Sequence, residues 1–349
     1  MNKVKLAIFG ANQGARIARV IKDNTRCDFI ALAGFGKQAE DTAEELGVDL
    51  YPDYHDLLEK VSVDAVVIAL PNDLHLEATK ACIDAGVKNI LVEKPIAGTL
   101  EDGEELNRIC KESGTTLLVG HHRRSANTFL FLKDFISQGH LGDIVAIHCS
   151  YALNKNLDYW EDEWHKKATG GPLLVNAIHD FDDLNNVLGL PPKRVYAVKR
   201  NSIRGNEAED SASALIEYEN GPVVTYFVSD GTPSLWNYDL LGQADERFAW
   251  ETGDNSMRIF GTKGSFGFPN MDFYTYKDKE HWGWNYPLIK EHFGVEFNNP
   301  LISEMNHFFD LCLGIETVPR CSGDQALLSL KLITAVLESC RTGQVIDIK

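Results

Sequence analysis

Lys94 is the residue whose neighbours best equip it for chemistry: a short apolar run, Asn89-Ile90-Leu91-Val92, ends abruptly in Glu93-Lys94-Pro95. Open parallel sheets bind ligands outside the carboxyl ends of their strands. A lysine at that edge can lose solvation, which draws its pKa toward neutrality, where an amine transfers protons. The tripeptide also reads as a solvated cation before a turn proline, so Lys94 needs partners elsewhere. One is offered by Gly170-Gly171-Pro172 and the helical pattern behind it. There Leu174, Ala177, Ile178, Phe181 and Leu184 form an apolar stripe, while Asn176, His179, Asp180 and Asp183 take the other side. His179 has Asp183 one turn on and Asn176 on the turn before, a setting for a general acid or base.

The run Val4 to Phe9 opens into Gly10-Ala11-Asn12-Gln13-Gly14-Ala15-Arg16, where dinucleotide-binding folds carry G-x-G-x-x-G/A. Gly10 suits the tight turn and Ala15 is permitted at the third position, but Asn12 replaces the glycine that lets backbone approach a pyrophosphate. Asparagine tolerates a left-handed conformation, and Gly14 adds freedom. A nucleotide loop made of Gly10, Asn12, Gln13, Gly14 and Ala15 is expected. No acid follows the second strand to bind ribose hydroxyls: Ala33-Gly34-Phe35-Gly36-Lys37 comes next, and the first acid is Glu40. A carboxylate would repel a 2′-phosphate, whereas Lys37 or Arg16 can pair with one. The expected cofactor is therefore NAD(P), leaning to NADP.

Two further strand ends carry polar groups. Leu70-Pro71-Asn72 leads into a helix near His75, with Asn72 or Asp73 as its cap and the same loop free to line a cofactor. Gly120-His121-His122-Arg123-Arg124 places four ionisable side chains in succession, which is costly without an anion or polar ligand. Metal binding is not expected there, because adjacent histidines on extended chain point in opposite directions and no third ligand sits at a useful spacing.

From residue 4 to about 120, strand-like runs (4–9, 29–33, 65–70, 89–92 and 116–119) alternate with helical segments, the mark of parallel βαβ units. Beyond that, a helix near 125–138 precedes strands at 144–151, 194–198, 212–219, 223–229, 257–260 and 265–268, the last two joined by the turn Gly261-Thr262-Lys263-Gly264. Two helical patterns, 300–313 and 324–340, close the chain. The expected class is α/β: a doubly wound parallel sheet over residues 1–122, then an α+β domain over 123–349 with a mostly antiparallel sheet.

At 349 residues the chain exceeds one hydrophobic core, and a net charge of −17 argues against nucleic-acid or anionic-membrane partners. Seven scattered cysteines without Cys-x-x-Cys spacing read as reduced packing residues. No apolar run approaches a membrane span, and Met1-Asn2-Lys3-Val4-Lys5 lacks a secretory pattern, so a cytoplasmic protein with a small-molecule partner is expected.

Together the glycine loop, Pro71-Asn72-x-x-His75, Glu93-Lys94-Pro95, Gly120-His121-His122-Arg123-Arg124 and the 170–183 segment resemble the Gfo/Idh/MocA family, named for glucose-fructose oxidoreductase, inositol dehydrogenase and rhizopine catabolism. The likeness covers essentially the whole chain, and Glu-Lys-Pro is its most specific part. It implies an amino-terminal Rossmann domain and a carboxyl-terminal domain whose open sheet builds homodimers or homotetramers. It also implies NAD(P)-dependent hydride exchange with a secondary hydroxyl or ketone of a sugar, cyclitol or related polyol. On that basis Lys94 and His179 are the expected catalytic pair. Leu70, Pro71, Asn72, His75, Glu93, Lys94 and Pro95 join the glycine loop and Lys37 around the cofactor. His122, Arg123, Arg124, Trp164, Asn176 and Asp180 are expected around the substrate, with Trp160 and Trp250 as further aromatic faces. The inositol dehydrogenase pattern has an aspartate four residues before the histidine; here that residue is Val175, which argues against inositol itself. Redox-assisted glycoside cleavage, dihydrodiol oxidation and noncatalytic cofactor sensing are the alternatives on this fold, the last opposed by retention of both Lys94 and His179.

Overall fold

A computed structural model describes residues 3–349. The chain begins β1 (Val4–Phe9), α1 (Gln13–Ile21), β2 (Cys27–Ala33), α2 (Lys37–Leu46), β3 (Asp49–Tyr51), α3 (Tyr54–Lys60), β4 (Ala65–Ile68), α4 (His75–Asp84), β5 (Asn89–Glu93), α5 (Leu100–Ser113) and β6 (Thr116–Gly120). These six strands form one parallel sheet in the order β3-β2-β1-β4-β5-β6. The order reverses between β1 and β4, which opens a crevice at their carboxyl ends. Central strands are covered on both faces, so Ala65–Ile68 and Ile90–Val92 are wholly buried and read as unbroken apolar runs. Helix ends are set locally: Thr99 accepts from the Asp102 amide at 3.1 Å to start α5, and Gly114, at φ +69°, stops it.

The chain continues as α6 (Asn127–Ser137), β7 (Ile144–Ala152), a single π-helical turn (Leu173–Ala177) running into α7 (Ile178–Leu188), then β8 (Pro192–Arg200), β9 (Ser211–Tyr218), β10 (Val223–Ser229) and α8 (Tyr238–Leu241). After these come β11 (Met257–Gly261), β12 (Ser265–Phe268), β13 (Asp272–Thr275), β14 (Ile289–His292), α9 (Pro300–Cys312), α10 (Gly323–Thr342) and β15 (Ile346–Asp347). A nine-stranded sheet follows the order β14-β13-β12-β11-β7-β10-β9-β8-β15; β7 and β10 pair in parallel and every other neighbour is antiparallel.

Two compact units result: the chain up to Ser125 with Pro300–Leu330, and Ala126–Asn299 with Lys331–Lys349. The first break lies near the expected one at 122, but the single block 123–349 does not hold, because residues 300–330 fold with the parallel sheet. The cause is α9. Its Leu301, Met305, Phe308 and Phe309 are fully buried, it packs on α1, β5 and β6, and Asp310 meets Arg26 at 2.6 Å. Periodicity reveals that such a helix has an apolar face but not which core receives it. Among the described residues, no helix is long and apolar enough to cross a membrane.

Candidate active site

In the first unit the site is built at the carboxyl ends of β1, β4, β5 and β6. Gly10 turns the chain at φ +97°, and a Cβ there would fall 2.2 Å from the Ala69 carbonyl oxygen, so only glycine fits. Asn12 sits at φ −79°, and its left-handed tolerance is not called upon. A Cβ on Gly14 would come within 2.8 Å of Ile8 Cγ2; close packing of α1 on β1 thus depends on Gly14 rather than Ala15. No side chain caps α1, and its first turn carries no acid, so its amide groups and dipole favour an anion.

Glu93 joins that loop to the candidate lysine. Its carboxylate is buried and accepts from Gln13 Nε2 and from the Lys94 backbone amide, both at 3.2 Å. Burial raises the Glu93 pKa, while Lys94, Gln13 and Arg16 pull it down. His122, on the turn after β6, is held neutral by burial first and then by the charges of Arg123, Arg16 and Lys94. Lys94, Arg16, Glu93 and His122 therefore share one electrostatic neighbourhood, with Lys94 itself half-buried.

Other expected residues are engaged within the protein. His75 is fully buried; its Nε2 lies 3.0 Å from the Leu70 carbonyl and its Nδ1 3.1 Å from that of Pro95. The ring thus sits between the end of β4 and the Lys94-Pro95 loop; burial lowers its pKa despite those carbonyls, so its single N–H is donated to one of them. Asn72 is exposed and its carbonyl accepts from the Gly98 amide at 3.0 Å. Arg123 and Arg124 are buried, and Arg124 Nη1 donates to the Arg320 carbonyl at 2.9 Å and to Gln325 Oε1 at 3.0 Å. Those bonds brace the turn carrying His122. Lys37 is exposed and pairs with Asp41 at 2.7 Å.

In the second unit, the 173–188 helix starts beneath a buried carboxylate: Glu209 Oε1 accepts from the Leu173 amide at 3.1 Å. Gly171 makes room for it, since a Cβ would lie 2.2 Å from the same oxygen. The polar side of this helix is largely buried. Asp180 accepts from the Tyr226 hydroxyl at 2.6 Å, and Asp183 is only 2% exposed. Strand alternation turns Tyr226 inward, and a buried phenol needs a polar partner, which Asp180 supplies. His179 is half-buried. Asn176 Nδ2 donates to the Tyr151 hydroxyl at 2.9 Å, and that hydroxyl donates to Asp239 Oδ2 at 2.8 Å. Trp164 is half-exposed beside His165; the Trp160 ring is covered by the Arg204 guanidinium at 3.9 Å, and Trp250 Nε1 bonds the Asp245 carbonyl.

Residues 4–121 match the family described as an oxidoreductase family with an NAD-binding Rossmann fold, and residues 129–267 match the GFO/IDH/MocA C-terminal domain. The chain belongs to the Gfo/Idh/MocA family. It is 30% identical over 213 residues to 1,5-anhydro-D-fructose reductase of Ensifer adhaerens, covering 60% of this chain and 58% of that one. It is also 34% identical over 168 residues to scyllo-inositol 2-dehydrogenase (NADP(+)) of Bacillus subtilis, covering 48% and 42%. The matches thus span about half the length of these curated relatives. The fold is that of scyllo-inositol dehydrogenase from Lactobacillus casei solved with NAD(H) and scyllo-inositol: TM-score 0.78, 19% identity, 99% of each chain.

As a Gfo/Idh/MocA chain it has residues that fit a dinucleotide: a glycine turn with no space for a Cβ and an uncapped helix start. Tyr151, Tyr226, Glu209 and Asp239 were not singled out from the sequence. Only Gly171 and the inward tyrosine of β10 carried a signal for them.

Proposed function

We propose that the protein is an NAD(P)-dependent oxidoreductase acting on a secondary hydroxyl or ketone of a sugar, cyclitol or related polyol. The observation that carries the reading is Lys94, issuing from β5 with its amide tied to Glu93 and, through Gln13, to the uncapped start of α1. When bound, the nicotinamide supplies or takes up the hydride. Lys94 donates to the substrate oxygen and stabilises developing alkoxide charge, and His179 exchanges the hydroxyl proton. His122, neutral and half-buried, accepts or donates to a polar substrate group rather than pairing with an anion. Asn176 binds a hydroxyl, and Trp164 offers an aromatic face.

The lack of a carboxylate after β2 supports NADP over NAD, with Lys37 leaving Asp41 to meet the 2′-phosphate. Sugar and cyclitol oxidoreductases among the relatives support the substrate class. Thermal-shift titration with NAD and NADP, followed by turnover with cyclitols and pyranoses in both directions, tests the reading. Tighter binding of NADP that weakens in Lys37→Glu is expected; a chain that binds neither cofactor would sink it.

A further inference from the structure

We propose that Tyr151 and Asp239 lock the Asn176 amide with Oδ1 presented as a hydrogen-bond acceptor, so that the site selects a ligand hydroxyl able to donate. This rests on the polyol reading above and adds the polarity of one contact and the residues that set it.

A carboxylate oxygen only accepts, so the 2.8 Å contact between Tyr151 and Asp239 fixes the phenolic proton toward Asp239. The Tyr151 oxygen is left with lone pairs alone, and the Asn176 group facing it at 2.9 Å must be the NH2. An amide flip would set two acceptors against each other. Asn176 Oδ1 consequently points the other way. It is shielded from solvent and has no hydrogen-bond partner among the described residues. A shielded carbonyl oxygen without a partner is costly, and a donor that reaches it is rewarded. The preceding residue, Val175, has no side-chain donor to offer.

Tyr151 is itself buried on β7, and Asp239 lies at the start of α8 behind an Asn237 side-chain cap at 2.9 Å. The chain of polarity is thus anchored on two elements outside the helix it serves. A ketone, ether or fluorine at the matching ligand position cannot donate and leaves Oδ1 unpaired. Tyr151 and Asp239 are positioning residues, and Asn176 makes the contact.

The test compares D-glucose, D-mannose, D-galactose and myo-inositol with their singly deoxyfluorinated analogues, in which fluorine keeps the size of a hydroxyl but cannot donate. Affinity is read by thermal shift in saturating NADP. For the wild type, one position is expected at which fluorine weakens binding about tenfold. In Tyr151→Phe the amide can turn, and that discrimination is expected to shrink to about twofold. Adding Asn176→Asp, whose oxygens both accept, restores it, which a merely structural role for Tyr151 would not do. Retained cofactor shifts mark the variants as folded. If Tyr151→Phe does not fold, Asp239→Asn, which frees the phenolic proton, carries the same expectation. Unchanged discrimination, or loss without rescue by Asn176→Asp, overturns the inference alone. A wild type that binds NADP but none of the polyols overturns the polyol reading and this with it.

Discussion

Glu93 shows how much of this site is set by single side chains: one buried carboxylate accepts from the nucleotide loop through Gln13 and from the amide of Lys94. His75 serves the neighbouring loop, its neutral ring lying between the Leu70 and Pro95 carbonyls and donating its single N–H to one of them. His75→Phe keeps the ring volume and removes the one hydrogen bond that the neutral ring can donate to these carbonyls; a loss of about 1 kcal/mol in denaturant melts is expected. His75 and His122 are both pushed below the ordinary value of 6.5 by burial. The unfolded chain then binds protons that the folded one refuses, so their contribution is complete above pH 6.5 and falls as pH drops through the folded values. Melts at about pH 7.5 and about pH 5.5 are expected to show lower stability at the acid end, with a shallower drop in His75→Phe. The place of Lys94 at the carboxyl end of β5 was legible in the sequence, because the apolar run stops at Glu93-Lys94-Pro95. The inward turn of Arg124 was not, since its partners Arg320 and Gln325 lie some two hundred residues on.

Elements place these side chains, and here glycines and helix starts decide. α1 can sit close on β1 only while Gly14 lacks a Cβ. Gly14→Ala is expected to weaken cofactor binding about tenfold or more, and Ile8→Ala in the same chain to recover part of it, both read by cofactor titration. Five strands of the first sheet followed from the sequence, Val4–Phe9 to the residue and the other four to within two residues at either end, because buried parallel strands are continuous apolar runs. β3 has three residues, and β14 has four that are all exposed; neither leaves an apolar pattern to read. The 173–188 helix shows the opposite failure. Its apolar stripe and polar side were both correctly spaced, yet the polar side is buried because Tyr226 and Tyr151 meet it with hydroxyls. Amphipathic spacing separates two faces without telling water from a polar core.

For the whole molecule, the nine-stranded sheet has one closed face and one open face. On the open face Tyr196, Val198, Leu215, Val223 and Phe260 are exposed, and the strand register places them on the same side. We propose that a second copy of the chain covers it, giving a homodimer or homotetramer. Leu215→Lys is expected to lower the mass in light scattering to that of one chain, while an unchanged mass would assign the assembly to another surface. The catalytic reading is tested most directly by reduced-nicotinamide absorbance with Lys94→Ala beside the wild type, on a polyol that the wild type turns over. We expect the variant to bind cofactor as the wild type does and to lose turnover by about a hundredfold to a thousandfold, the size of one lost transition-state hydrogen bond. Turnover at the wild-type rate would contradict the assignment.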